Sequence, residues 1–251
     1  VPKSRLTALF SATMPAPIAR IAKRFLNKPK NIRTQRSEPT VANIRQSYIT
    51  VSGAKKFEAL ARLIEGEDYD AMIVFTKTRL STTDVVERLG ERGIDAVALN
   101  GDMNQNARQY TIDRFKGGAV DILVCTDVAA RGLDVPRVSH VVNYDIPYDT
   151  EAYVHRIGRT GRAGRDGTAI TFVARNDTRM LQSIQRATRK TMEKRSVPTA
   201  KALARKRISD FKESVIDTLA SQNLERFTKI VDDLSEDAAL DPRMVAAALI
   251  Y

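Results

Sequence analysis

AMIVFTKTRLSTTDVVERLGER, residues 71–92, changes period halfway along. Ala71–Phe75 is apolar at every position, as expected of a strand buried on both faces of a parallel sheet. Thr76-Lys77-Thr78-Arg79 ends the run. From about residue 80 to residue 92 the apolar positions take helical spacing, with Val85, Val86 and Leu89 on one face. The unit then repeats. Ala96–Leu99 predicts a strand, and residues 105–116 a helix with Ile112 and Phe115 inward. Asp121–Cys125 (DILVC), Val138–Asn143 (VSHVVN) and Thr168–Val173 (TAITFV) predict further strands, with helical residues 150–158 before the last. Strands alternating with helices imply an α/β fold: a parallel sheet, right-handed crossovers and helices on both faces. In such sheets ligands gather at the carboxyl ends of the strands. The loops there begin near Thr76, Asn100, Thr126 and Tyr144.

Bulk properties narrow the function. The chain has 251 residues, enough for one large or two smaller domains, and 43% are hydrophobic. Its formal charge of +11 favours an anionic partner such as nucleic acid, against the plainer alternative of a basic protein without one. Cys125 is the single cysteine, so no internal disulfide forms, which fits a reducing cytoplasm. No signal peptide and no bilayer-length apolar run occur, so no membrane partner is expected. The chain opens on Val1 without a methionine and is taken as a fragment or a processed chain.

The strand-end loops carry the unusual residues. Thr76-Lys77-Thr78-Arg79, then Gly101-Asp102 with Gln105 and Arg108, then TDVAARGLD (126–134) are rich in hydroxyls, glycine and arginine, groups that suit phosphate oxygens. Taken singly, TKTR fits a solvated turn, and Gln105 with Arg108 fits an exposed helix face. Together at one sheet edge they suggest a groove for an extended phosphate backbone. Further on, HRIGRTGRAGRDG (155–167) sets Arg156, Arg159, Arg162 and Arg165 beside His155, with Gly158, Gly161, Gly164 and Gly167 between them. Crowded guanidinium groups repel, so an anion is expected among them. Pairing with local carboxylates such as Asp166 is the alternative.

These stretches carry a resemblance. Residues 44–175 resemble the second RecA-like domain of a DEAD-box RNA helicase, on VFTKT (74–78), LNGDMNQNAR (99–108), TDVAARGLD (126–134) and HRIGRTGR (155–162). SATMP (11–15) is similar to the motif that closes the family's first such domain. The resemblance implies that Arg159 and Arg162 are arginine fingers for the γ-phosphate of ATP, stabilising charge that grows in the transition state. It implies that His155 couples the nucleotide and RNA sites. It places Asp134, with Gly132, at the nucleotide ribose. Thr76, Gly101, Gln105, Arg108, Thr126 and Arg131 fall at positions for the RNA backbone or the domain interface, with little sequence preference. Arg131 suits either role, and Asp127 is expected to orient Arg131 or its loop. No G-x-x-x-x-G-K-[ST] loop and no Asp-Glu-Ala-Asp sequence occur. ATP with Mg²⁺ would thus be held mainly by a domain outside this chain, and the chain alone is expected to be inactive. Residues 1–35 would be the remnant of that first domain, with its last helix and strand at 15–35, and residues 36–43 the linker. The competing reading is an RNA-binding and dimerising module that acts without ATP.

The tail is of another kind. Residues 176–207 predict a basic helical connector; Arg186–Arg207 holds nine Lys or Arg and one acid, Glu193. Such a run suits a solvated face or an RNA contact. Val215, Ile216, Leu219, Leu224, Phe227, Ile230, Val231 and Leu234 recur at helical spacing, Asp241-Pro242 suits a helix start, and MVAAALIY (244–251) is apolar almost all round. So short a tail makes little core of its own. Residues 208–251 therefore predict either a homodimerisation domain or a bundle packed on 44–175. The whole chain resembles the bacterial cold-shock type of DEAD-box helicase, whose C-terminal helices dimerise, and which suggests ribosome assembly and mRNA turnover as settings.

Overall fold

The computed structural model describes residues 5–10, 14, 16–32, 43–237 and 241–250. The chain divides into two units, residues 1–39 and 40–251. In the first, α1 (Ala16–Phe25) forms as expected. The strand expected within 15–35 is not formed among the described residues there, and 26–32 carry no helix or strand. A strand needs neighbours to complete its ladder, and the described residues of this unit offer none. Leu6 and Phe10 are 98% and 92% exposed. Most of SATMP (residues 11–13 and 15) and most of the linker (36–42) lie outside the described residues.

The second unit is built on a seven-stranded sheet. Its strands are β1 (Ile44–Thr50), β2 (Met72–Phe75), β3 (Val97–Leu99), β4 (Ile122–Cys125), β5 (His140–Asn143), β6 (Gly167–Val173) and β7 (Glu193–Arg195). They lie in the order β3-β4-β2-β5-β6-β1-β7, and every pairing is parallel. The helices are α2 (Lys56–Gly66), α3 (Arg79–Gly90), α4 (Gln105–Lys116), α5 (Thr150–Ile157), α6 (Thr178–Thr188), α7 (Ala200–Ser221), α8 (Glu225–Asp237) and α9 (Pro242–Ile250). Side-chain caps start several of them: Thr78, Asn104, Asp149 and Thr199 each accept a backbone N–H three residues on. Alternate residues of the strands point to opposite faces. Met72, Val74, Ile122 and Val124 pack with Phe57, Leu60, Val85 and Leu89. Ile73, Phe75, Leu123 and Cys125 pack with Phe115 and the loop residues Leu133 and Val138. Tyr153 and Ile157 of α5 join Leu181 and Ile184 of α6 over Ala169. Helices thus cover both faces, as the alternation predicts.

Two strands escaped the sequence reading. β1 buries polar Gln46 and Ser47 among its apolar residues, which blurs its pattern. β7 is Glu-Lys-Arg and joins the edge through backbone pairing with β1. The connector is therefore not one helix. α6 stops at Thr188, Arg189 turns at φ +52°, and Met192 is buried before β7 begins. Nor does the chain break at residue 207: α7 runs unbroken across it.

The first two turns of α7 dock on the end of α2. Leu203 is 7% exposed. Leu203 and Pro198 sit so close to Gly66 that an added Cβ there would meet Pro198 Cγ at 3.0 Å. Arg207 pairs with Glu65 at 2.6 Å, Lys206 with Asp68, and Arg195 with Glu67. His140 and Arg195 hold the Glu67 carboxyl below the usual range. Past residue 207 most of the described large apolar side chains stay open. Ile208, Phe211, Val215, Ile216 and Leu219 are 40–65% exposed, and Phe227, Met244 and Leu249 60–79%. α8 and α9 pack on each other.

Candidate functional site

All strands being parallel, the loops after β2, β3, β4 and β5 open on one edge of the sheet. The segment after β4 does more. It runs from Thr126 at the carboxyl edge to Val138, just before β5, and α5 and its C-terminal loop lie alongside it. Three arginines three residues apart engage it in succession. Arg156 clamps Asp127 with two parallel bonds, Nε–Oδ1 at 2.6 Å and Nη2–Oδ2 at 2.8 Å. Arg159 donates through Nη1 to the Leu133 carbonyl at 2.6 Å and through Nε to the His155 carbonyl at 3.3 Å. Arg162 pairs with Asp134 and donates Nε to the Gly158 carbonyl at 2.9 Å.

The expected anion among the arginines is thus largely supplied from within the chain. Asp127, Asp134 and, for Arg165, Asp70 are the partners. Asp166 takes none of these roles. Arg159 is the exception among the four: it bonds carbonyls and no carboxylate. Burial lowers its pKa, and the Arg162 cation beside it acts the same way. An anion brought to this pair would relieve both effects. Asp127 makes no bond to Arg131; the buried Arg156 claims both of its oxygens, so of the two expected roles Asp127 takes the second and holds its loop. Arg156 is 3% exposed. It also donates Nη1 to the Asp145 carbonyl at 2.6 Å and to Asn143 Oδ1 at 3.2 Å, and lies over the Phe75 ring. Asp145 in turn accepts from Lys56 Nζ at 2.6 Å and from the Lys77 amide at 2.9 Å. Sequence reasoning missed this network. Its signal was the polar pair Asn143 and Asp145 straddling the end of an otherwise apolar strand.

The remaining candidates divide by exposure. Thr76 is 1% exposed and its hydroxyl donates to the Thr78 carbonyl, so it braces the loop from behind. Gly101, Gln105 and Arg131 are exposed, Thr126 is half-buried, and Gly132 turns the chain at φ +73°. Arg108 ties the first turn of α4 to the β4 loop through the Ala129 carbonyl at 2.6 Å. His155 is exposed on α5, and Asp134 is open apart from Arg162. Among the described residues no His, Cys, Asp and Glu cluster could hold a metal ion.

Gly167 fixes the loop that carries Arg162. Thr160 Oγ1 donates to the carbonyls of Val138 at 2.7 Å and Ser139 at 2.9 Å. A Cβ on Gly167 would meet Thr160 Oγ1 at 2.6 Å and the Gly161 nitrogen at 2.7 Å. Gly167→Ala is expected to cost about 1–3 kcal/mol, the range for overpacking a close contact, read from urea unfolding. A cost below a few tenths would show that the loop yields freely.

A parallel sheet covered on both faces, with hydroxyl- and arginine-bearing loops at one edge, is the architecture of a RecA-like domain. Comparison with known proteins agrees. Residues 55–164 match the helicase conserved C-terminal domain, and residues 198–251 the RNA helicase DeaD dimerization domain. ATP-dependent RNA helicase DeaD of Escherichia coli K12 is 47% identical over 253 residues, covering 100% of this chain and 40% of that protein. The E. coli DEAD-box protein SrmB, solved bound to regulator of ribonuclease activity A, is 38% identical. That match covers 64% of this chain and 93% of SrmB's, with a TM-score of 0.59. Saccharomyces cerevisiae Dbp5, solved with RNA and ADP BeF3, is 34% identical over 78% of this chain and 53% of its own, with a TM-score of 0.70. The chain belongs to the DEAD-box RNA helicases and corresponds to their C-terminal half. It spans about 40% of the length of the curated relatives it matches.

Proposed function

We propose that this chain is the second RecA-like half of an ATP-dependent RNA helicase and supplies its arginine fingers. The observation that carries this reading is Arg159, half-buried beside Arg162 and without a carboxylate of its own. ATP with Mg²⁺ is held mainly by the first domain. On closure Arg159 and Arg162 face the γ-phosphate, His155 couples nucleotide to RNA, and Asp134 with Gly132 meets the ribose. For that, Arg162 and Asp134 must part, each taking up a group of the nucleotide. Gly101, Gln105, Arg108, Thr126 and Arg131 contact the RNA backbone, with Thr76 supporting the loop from within. Closing over ATP pinches RNA between two domains and bends one strand out of its duplex; hydrolysis reopens the site. The exposed Leu6 and Phe10 support a missing neighbour for the first unit. The test is RNA-stimulated ATP hydrolysis by this chain and by one extended upstream through the first domain. Activity only in the extended chain is expected; activity in neither would favour an RNA-binding module that works without ATP.

The protein further acts as a homodimer in the cytoplasm, in cold-shock settings such as ribosome assembly and mRNA turnover. Residues 208–251 form the dimer interface. The open apolar faces of α7, α8 and α9 support this, since monomers seldom leave so much contiguous apolar surface in water. No helix among the described residues is long and apolar enough to cross a membrane. Deleting 208–251 spares Leu203, Lys206 and Arg207, which anchor α7, and should give a monomer by light scattering. A dimer that persists would place the interface elsewhere.

A further inference from the structure

Eight of the nine cations between Arg186 and Arg207 in the basic connector fall into two sets. Arg195, Lys206 and Arg207 pair with Glu67, Asp68 and Glu65, and so fasten the tail to the helicase domain. Arg186, Arg189, Lys194, Lys201 and Arg205 are exposed and have no carboxylate partner among the described residues. Arg186 bonds only its own helix, through the Gln182 carbonyl and Ser183. Arg186 and Arg189 line a groove together with Lys190, Gln182, Gln185 and Thr191. The groove is shaped from within. Met192 is buried, its amide donates to Gln185 Oε1 at 2.9 Å, and Arg189 holds the left-handed turn between α6 and β7. A cation in the last turn complements the helix dipole, which accounts for Arg186 alone. It does not account for three cations and two amides around one concavity.

β6 and β7 run parallel, so α6 returns the chain from the carboxyl edge to the amino edge of the sheet. The groove therefore lies at the edge opposite to Gln105, Thr126 and Arg131. No aromatic ring lines it. Unstacked single strands are held by aromatic platforms, whereas A-form duplexes are gripped by their phosphates and 2′-hydroxyls. We infer that this groove is a second RNA surface, which takes the backbone of duplex RNA flanking the strand handled at the carboxyl edge. Amides and the Thr191 hydroxyl suit 2′-hydroxyls; Arg186, Arg189 and Lys190 suit phosphates. The inference rests on the RNA reading proposed above and adds a separate site to it.

The test uses the 251-residue chain, an RNA hairpin with a single-stranded flank, and that flank alone, with binding followed by anisotropy over a salt series. Arg186→Ala, Arg189→Ala and Lys190→Ala combined should lower the salt slope for the hairpin by about 2–3, near one for each phosphate no longer neutralised. Binding of the flank alone should hold. Circular dichroism checks that the surface variant folds. An unchanged hairpin slope overturns the groove, as does an equal loss on both RNAs. If the unsubstituted chain binds neither RNA, the RNA reading itself falls, and the groove with it. Arg131→Ala separates the two sites: it should weaken the flank while leaving the triple variant's deficit on the hairpin in place.

Discussion

Arg156→Leu should lower the unfolding free energy of residues 40–251 by about 3–5 kcal/mol, the range for removing one partner of a buried ion pair. The guanidinium is 3% exposed and makes four hydrogen bonds to three residues, Asp127, Asn143 and Asp145. Leucine roughly fills the space over Phe75 but donates nothing. Asn143 Oδ1 and the Asp145 carbonyl would lose a donor, and Asp127 its counter-charge. Asp127 is 31% exposed, so water recovers part of its solvation, and Asp127→Asn should cost less than Arg156→Leu. Urea unfolding of both single variants and the double variant would give the coupling between them. A loss under 1 kcal/mol for Arg156→Leu would reduce this pair to the worth of an exposed salt bridge. The effect should reach beyond stability. Arg156 spans the loops after β4 and β5 and sits one turn before Arg159, so its loss should loosen the packing of α5, and with it the proposed finger Arg159, against the segment after β4.

The two roles of arginine in this stretch explain what could be read from sequence and what could not. Periodicity located β2, β3, β4, β5 and β6 within two residues, because continuous apolar runs in a parallel sheet carry an unmistakable pattern. It failed for β7, whose Glu-Lys-Arg is held by backbone bonds to β1 and buries no apolar face. It failed for the α6–β7 turn, which depends on the burial of Met192 and a single left-handed Arg189. At the site, the crowding of Arg156, Arg159, Arg162 and Arg165 called for an anion among them. Which carboxylate each would find depended on how the segment after β4 descends beside α5, a tertiary fact. Asp127 therefore secures its loop through Arg156 and not through Arg131, and Asp166, adjacent in sequence, pairs with none of these arginines. Thr76 looked like a ligand by its place at a strand end, yet the same place buried its hydroxyl.

If Arg159 acts as proposed, Arg159→Ala, made in a chain extended through the first RecA-like domain, should reduce RNA-stimulated ATP hydrolysis by about 10³-fold or more, as for arginine fingers in other phosphoryl-transfer enzymes. RNA affinity should change less than threefold, about 0.6 kcal/mol, since the proposed RNA contacts are other residues. The substitution is gentle on the fold. Arg159 Nη1 satisfies the Leu133 carbonyl, a second carbonyl of a solvated loop accepts Nε, and no carboxylate is left stranded. Removing it also relieves repulsion from Arg162. Arg156 and Arg159 should therefore fail in different ways. Arg156 has all its bonds in the resting chain, so its loss shows first as unfolding. Arg159 is held in place by carbonyls and bonds no carboxylate, so its loss should leave the melting curve within about 1 kcal/mol and show in the chemical step. Hydrolysis that survives Arg159→Ala would assign the charge-stabilising role to Arg162 alone and make Arg159 a strut for the Leu133 turn. Arg159→Lys discriminates further: a lysine keeps the cation but not the planar fork, so recovery of only a small part of the rate would show that geometry matters as much as charge.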